Sequence, residues 1–217
     1  LFCAMTLSAQ QGAPNGEWPV WGGDGGSTRY APLNQIDRDN VNDLEVAWIW
    51  RSNNFGTTLE MKNETTPLMI DGKLYFTSGN RRAVISADAG TGETLWVWRT
   101  DNNNLDAVRR ASRGVAYWTD GNDRRIITVT PEYQLVALEA DTGQLVSSFG
   151  NGGIVDLITQ LEPDSNYDPS VGRLMNTSPP LVSHDIILIP TSLANGRAPT
   201  SMRFPKGDIL AFDARTG

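Results

Sequence analysis

Apolar positions from residue 66 onward fall in runs of four or five, each ended by a polar or glycine-containing turn. Residues 66–70 and 73–77 flank Asp71-Gly72, a dipeptide suited to the positive φ of a two-residue hairpin turn. Residues 83–87 and 95–98 extend this hairpin into a four-stranded antiparallel unit. A second unit is predicted at 114–118, 125–129, 135–138 and 145–149. A third follows at 178–182, 186–189 and 209–212, with its last strand missing. Upstream, residues 44–50 alternate as a half-buried strand does. Residues 37–41 predict a short helical turn capped by Asp37. The glycine density of residues 18–30 predicts an ordered loop. No stretch keeps a helical period over a useful length, so the chain reads as all-β.

One turn comes back three times. Ser86-Ala87-Asp88-Ala89-Gly90-Thr91-Gly92 is followed by Ala137-Leu138-Glu139-Ala140-Asp141-Thr142-Gly143 and by Ala211-Phe212-Asp213-Ala214-Arg215-Thr216-Gly217. Each copy carries an acidic residue four before its final glycine and a Thr-Gly pair. The final glycines stand 51 and 74 residues apart, at 92, 143 and 217. Recurrence of one turn at the same point of each unit is the mark of an array, and four-stranded antiparallel units in series are blades of a β-propeller. A β-sandwich also uses short, regularly spaced strands, but it does not require the same turn each time. About three blades are present, fewer than the smallest closed ring of roughly four. Trp96, four residues after Gly92, is expected to pack flat between its blade and the next. The equivalent position after Gly143 is Ser147, a weakened staple, and Trp48 is expected to serve a preceding strand in the same way.

Composition narrows the partners. The 217 residues carry a net charge of −7, against the clustered basic face of a nucleic-acid binder. No run reaches the roughly 20 apolar residues of a membrane span, so membrane association is expected only through parts not present here. A single cysteine, Cys3, excludes an internal disulfide, and no Cys/His cluster offers a zinc site. Residues 1–9 read as the tail of an apolar export signal ending at Leu7-Ser8-Ala9. That leaves residues 10–217 as a partial propeller, cut at its C-terminal end and exported.

Five segments in a fixed order carry a resemblance. They are Trp18-Pro19-Val20-Trp21-Gly22-Gly23-Asp24, Ser27-Thr28-Arg29-Tyr30-Ala31-Pro32-Leu33, Glu64-Thr65-Thr66-Pro67, Arg113-Gly114-Val115-Ala116-Tyr117-Trp118, and the three repeated turns. Together they resemble the N-terminal part of the quinoprotein dehydrogenases, the pyrroloquinoline quinone (PQQ)-dependent alcohol and glucose dehydrogenases. The resemblance runs from Trp18 to Gly217. It implies an eight-bladed propeller with PQQ and a calcium ion on its axis. It also implies a periplasmic enzyme that oxidises an alcohol, polyol or aldose and passes electrons to a quinone or cytochrome c.

PQQ carries three carboxylates and an ortho-quinone, so its site needs fixed cations, hydrogen-bond donors, flat walls and a metal. Arg113 is the leading candidate for a cofactor contact, because its planar fork suits a carboxylate or quinone oxygen. By resemblance Glu64 and Thr177 occupy further cofactor positions. Asn195, whose amide oxygen suits calcium, occupies a metal position. The alcohol branch carries adjacent cysteines over the cofactor, and the glucose branch a His and a Cys before the arginine. Here Arg109 and Ser112 stand instead, which leaves the substrate open. His184, the one histidine, is expected in an exposed turn. Abstraction of hydride from an alcohol needs a general base, which the resemblance puts beyond Gly217, so no catalytic residue is assigned within the chain. The isolated 217 residues are expected neither to bind PQQ tightly nor to turn over. The competing expectation is a propeller scaffold of the outer-membrane assembly type, which would have no use for Glu64, Arg113 or the 18–30 signature.

Overall fold

The computed structural model describes residues 12–52, 63–79, 81–100, 111–161, 174–193 and 208–217. The first sheet runs in chain order through β1 (Leu68–Ile70), β2 (Lys73–Ser78), β3 (Ala83–Asp88) and β4 (Thr94–Trp98). A second four-stranded sheet repeats that order with β5 (Ala116–Thr119), β6 (Arg124–Val129), β7 (Gln134–Glu139) and β8 (Ile154–Asp156). After β9 (Leu174–Met175), a third sheet joins β10 (Leu181–Ser183), β11 (Ile186–Pro190) and β13 (Ile209–Asp213). The short β12 (Ser192–Leu193) pairs with β9, a contact the apolar pattern did not signal. All ladders are antiparallel. Helical geometry among the described residues is limited to 3-10 turns at Pro14–Gly16 and Val41–Asp43. Asp71 and Gly72 take φ of 49° and 74°, the two positive values of a type I′ hairpin.

The sheets stack through their faces. Leu68, Ile70, Tyr75 and Val84 of the first pack on Val115, Ile126, Val136 and Leu138 of the second. The opposite face of the second, with Ile127, Leu135 and Phe149, packs on Ile187, Ile189 and Ala214 of the third. A sheet covered on both faces needs apolar side chains on both, which is why β6 and β7 read as nearly continuous hydrophobic runs. The third sheet is covered on one face only, and β11 alternates accordingly: Ile187 and Ile189 are fully buried while Ile186 is half exposed.

Each repeated turn follows the third strand of its sheet. In the first, the Asp88 carboxylate accepts from both the amide and the hydroxyl of Thr91, at 2.8 and 2.9 Å. Asp213 accepts from Thr216 in the same way, and Glu139 accepts from the Thr142 hydroxyl. The glycine that follows takes a φ near +70 to +90° in all three copies, a region where L side chains are strained. It also leaves room for a neighbour's indole. Trp48 lies against Gly92 and donates its ring N–H to the Ala89 carbonyl at 3.1 Å. Trp96 lies against Gly143 and donates to the Ala140 carbonyl at 3.0 Å. The roles expected of both tryptophans hold. At the third turn, where Ser147 offers no ring, the work is divided. The Arg125 guanidinium donates to the equivalent Ala214 carbonyl at 2.9 Å, and the Gly150 backbone sits where the indole would stack, donating to Thr216 at 2.7 Å.

Three local expectations are corrected. Residues 145–149 begin as a strand, with Leu145 bridged to Leu138, but Phe149 turns back onto Val146. Gly150, Gly152 and Gly153, all at positive φ, reverse the chain, and the fourth strand is β8 instead. Residues 44–50 form no strand, because no ladder partner lies beside them among the described residues. Their alternation serves a different end. It sends Trp48 and Trp50 to the first sheet, where Trp50 meets Phe76 edge-on at 4.9 Å, and leaves Val46 and Ile49 exposed. Asp37 caps a turn as expected, accepting from Asp39 and Asn40, but the 3-10 segment starts only at Val41.

Between the first two sheets, Asp141 bridges Lys73 at 2.6 Å and Arg124, which also reaches Asp71 at 2.7 Å. The hydrogen bonds from Lys73 and Arg124 hold the Asp141 carboxyl below its ordinary value of 3.8. Amide and hydroxyl donors do the same for Asp88 and Asp213. A carboxyl depressed by folding stabilises fully above its unfolded pKa, and that contribution is lost as pH falls through the folded value. Stability to denaturant, followed by tryptophan fluorescence, is therefore expected to be flat from about pH 7 to 5 and to fall below about pH 4. Asp141→Asn is expected to cost about 1 kcal/mol at pH 7, as half-exposed pairs do, and nothing at about pH 2.

Candidate functional site

The segments that lead into the first strand of each sheet meet at one end of the stack. There the Thr66 amide donates to the Arg113 carbonyl at 2.9 Å, and the Arg113 amide donates to the Thr177 carbonyl at 2.9 Å. Arg113 is thus the middle member of a backbone relay across three sheets. Gly114 makes the approach possible. Its φ is +138°, and a Cβ at that position would lie 2.9 Å from the Thr66 carbonyl oxygen. The Thr177 end is held by Asn176, whose side chain accepts from the Ser178 amide at 2.7 Å and donates to the Pro190 carbonyl at 3.2 Å.

The same end carries two more ties between sheets. Arg82, in the turn after β2, donates to the Val129 and Thr130 carbonyls at 3.0 and 3.3 Å. Burial pulls its guanidinium down to about 10, which leaves it charged at neutral pH. Tyr133, in the turn after β6, meets the Thr191 hydroxyl at 2.8 Å, and burial raises its phenol.

A cavity of about 460 Å³ opens beside the relay. Arg113 contributes its cation, Trp21, Tyr117, Pro179 and Pro180 contribute apolar and flat surface, and Asp24 contributes the acid. The 18–30 loop reaches this place because Trp18 pairs with Met69 of β1 through two backbone bonds of 2.8 and 3.1 Å. Within the loop, Asp24 accepts from the amide and hydroxyl of Thr28, which keeps its carboxyl below the ordinary value. Arg29 lies 4.7 Å over the Trp21 ring. The Arg113 side chain is exposed and forms no ion pair with a described residue. A cation with no ion-pair partner among the described residues, set beside apolar walls, suits an anionic, planar ligand. A second cavity, about 300 Å³ around residues 122–125 and 139–141, holds Arg124 and Asp141 already paired with each other.

Of the residues singled out in the sequence, the structure joins Arg113 and Thr177 directly. Glu64 is exposed, two residues before Thr66 on the segment that the relay holds. Neither Glu64 nor Thr177 is among the residues lining the cavity. Asn195 and Arg109 lie outside the described residues. Ser112 is buried, and its hydroxyl donates to the Gly114 carbonyl at 3.0 Å. His184 occupies the exposed turn between β10 and β11, at φ 53°. Sequence reasoning did not assign Trp21 and Asp24 a place at the cavity. Their signal was the glycine- and tryptophan-rich loop, whose destination was illegible until Trp18 was seen to pair with β1.

Residues 18–217 match the family model of the PQQ glucose/ethanol/alcohol dehydrogenase β-propeller domain. The chain belongs to this PQQ-dependent dehydrogenase family. The glycerol dehydrogenase large subunit of Gluconobacter oxydans (strain 621H) is 29% identical over 97% of the chain, and the quinoprotein glucose dehydrogenase of Escherichia coli (strain K12) is 28% identical over 93%. The chain spans 29% and 26% of the length of those two proteins. The crystal structure of quinohemoprotein alcohol dehydrogenase from Comamonas testosteroni aligns over 93% of the chain and 26% of its own, with a TM-score of 0.66 and 27% identity. The chain is therefore a portion of a PQQ propeller, and its stacked antiparallel sheets are blades.

Gly114→Ala in the protein that carries this chain is expected to cost about 1–3 kcal/mol in denaturant unfolding, the range for a non-glycine residue held in a sparsely populated backbone region. Gly25→Ala, where an added Cβ meets nothing within 4 Å, is expected to stay within about 0.5 kcal/mol of the parent.

Proposed function

We propose that the chain forms one wall of the cofactor site in an exported, periplasmic quinoprotein dehydrogenase that oxidises an alcohol, polyol or aldose hydroxyl. Electrons pass from it to a quinone or cytochrome c. The observation that carries this reading is the Arg113 cation, with no ion-pair partner among the described residues, fixed by its backbone between Thr66 and Thr177 and lining a cavity with flat walls. The donor set fits PQQ. The Arg113 fork suits a carboxylate or quinone oxygen, and Trp21, Tyr117 and the Pro179-Pro180 pair suit its ring system. A propeller that served only as a scaffold would gain nothing from an exposed arginine held in such a place with no ion-pair partner among the described residues.

Bound PQQ supplies a quinone that accepts the hydride equivalent of the substrate carbinol. The chain's own residues bind and orient. Arg113 anchors the anionic edge, while Glu64, two residues before the relay's Thr66, and Thr177, whose carbonyl ends the relay, are assigned further cofactor hydrogen bonds by the family resemblance. Pro179 and Pro180, which carry no backbone N–H, present apolar surface that excludes water from the Arg113 side of the cavity. Calcium is assigned to the loop around Asn195. Among the described residues no group of three His, Cys, Asp or Glu side chains could hold a metal ion; the general base and a principal calcium ligand are assigned by the family resemblance to the remainder of the protein. The substrate class follows the relatives, one named for glycerol and one for glucose.

Arg113→Ala in the whole protein is expected to weaken PQQ binding by about 30-fold or more, the usual consequence of truncating one partner of a hydrogen-bonded charge pair. Arg113→Lys, which keeps the charge and loses the fork, is expected to fall between the two. Titration of the apoprotein with PQQ, followed by quenching of tryptophan fluorescence, measures both. Affinity unchanged in Arg113→Ala would remove the basis of this reading.

A further inference from the structure

Between Glu64 and Arg113 stands a hydroxyl with no role so far. Thr77, the fifth residue of β2, is 1% exposed and lies at the end of that strand nearest the relay. Its amide donates to the Thr65 hydroxyl oxygen at 3.2 Å. Its own hydroxyl lies 3.3 Å from that same oxygen and 3.3 Å from the Ser112 carbonyl, so one proton is shared between two acceptors. Thr65 adjoins Glu64, and Ser112 adjoins Arg113. Ser112 in turn is only 5% exposed and donates its hydroxyl to the Gly114 carbonyl at 3.0 Å, closing a tight loop around the Arg113 backbone.

The geometry points to Thr77 as a positioning residue for the cofactor site, one that sets the Arg113 backbone relative to the Glu64 segment through the Ser112 carbonyl. The need for such a tie follows from the exposure of Arg113 itself. An exposed long side chain carries several free torsions, and each must be restricted when a ligand is bound. Fixing the residues on both sides of it by buried hydrogen bonds leaves only the side-chain torsions to be ordered. The amide and carbonyl of Arg113 are already committed to Thr177 and Thr66. The carbonyl before it is committed to Thr77, and the carbonyl after it to Ser112. Thr77 therefore acts through Arg113, without contact to the ligand. A threonine is suited to the post because its branched side chain keeps few rotamers on a strand, and a valine of the same shape would leave the Ser112 carbonyl buried without a donor.

The inference rests on Arg113 binding PQQ, and a double-mutant cycle separates the two claims. PQQ affinity is measured by fluorescence titration of the whole apoprotein for the parent, Thr77→Val, Arg113→Ala and the double variant, with thermal unfolding of each. Thr77→Val is expected to weaken PQQ about 5- to 10-fold, the worth of one buried hydrogen bond. The same change in the Arg113→Ala background is expected to have less than about a 2-fold effect, since coupled residues are not additive. Thr77→Ser, which keeps the hydroxyl, is expected to restore parental affinity. An equal loss in both backgrounds, or no loss in either, overturns the role of Thr77. No loss on Arg113→Ala alone overturns the reading beneath it. Should Thr77→Val fail to fold, Thr77→Ala removes the same hydroxyl from the Ser112 carbonyl without adding a methyl group and is expected to show the same dependence on Arg113.

Discussion

Two backbone hydrogen bonds, Thr66 to Arg113 and Arg113 to Thr177, connect the starts of three successive sheets, and the candidate site depends on them. Sheets that stack only through side chains can slide, because apolar contact is not directional. A main-chain bond between the entries of adjacent sheets fixes their register at that end to within a few tenths of an ångström. Arg113 sits in the middle of this relay, so its backbone is held on both sides while its side chain is left open to solvent. Gly114 is the condition for the arrangement, since any side chain there would meet the Thr66 carbonyl.

The opposite ends of the sheets solve a different problem with a repeated device. Each Thr-Gly turn presents a carbonyl and a flat glycine surface to its neighbour, and Trp48 and Trp96 satisfy both with one indole. At the third junction the two functions separate, Arg125 donating to the carbonyl and Gly150 covering the glycine. The position of Arg125 is supported by Trp118, whose ring lies between Arg125 and Arg215 at 5.0 and 5.2 Å. The two ends of the sheets are thus held by separate sets of bonds. The Thr-Gly turns can vary their donors so long as the carbonyl is met, whereas the relay bonds join main-chain groups and are supported by Gly114, Asn176 and Thr77.

Most of the architecture was legible in the sequence because sheets covered on both faces leave a strong trace. The middles of β6 and β7 are apolar and buried on both faces, and several turns between strands carry Asp-Gly or Thr-Gly. The errors arose where the local pattern had a second physical explanation. Residues 44–50 alternate because Trp48 and Trp50 must reach one side, and alternation alone does not reveal whether a ladder partner exists. Residues 145–149 are apolar because Val146 and Phe149 are buried in a turn, and only the three glycines after them distinguish that turn from a strand. At the candidate site, Arg113, Glu64 and Thr177 were named by resemblance; Arg113 lines the cavity and is joined to Thr177, while Glu64 and Thr177 do not line it. The tie through Thr77 was not legible, because a buried threonine near a strand end carries no mark of the partners it meets across 12 and 35 residues of chain.

The most direct test of the account is the structure of the whole protein with PQQ bound. The relay and the open arginine predict the Arg113 guanidinium within about 2.7–3.1 Å of a cofactor oxygen, with the Thr66 and Thr177 bonds intact. PQQ bound away from Arg113, or Arg113 paired with an acid from the remainder of the protein, would contradict it.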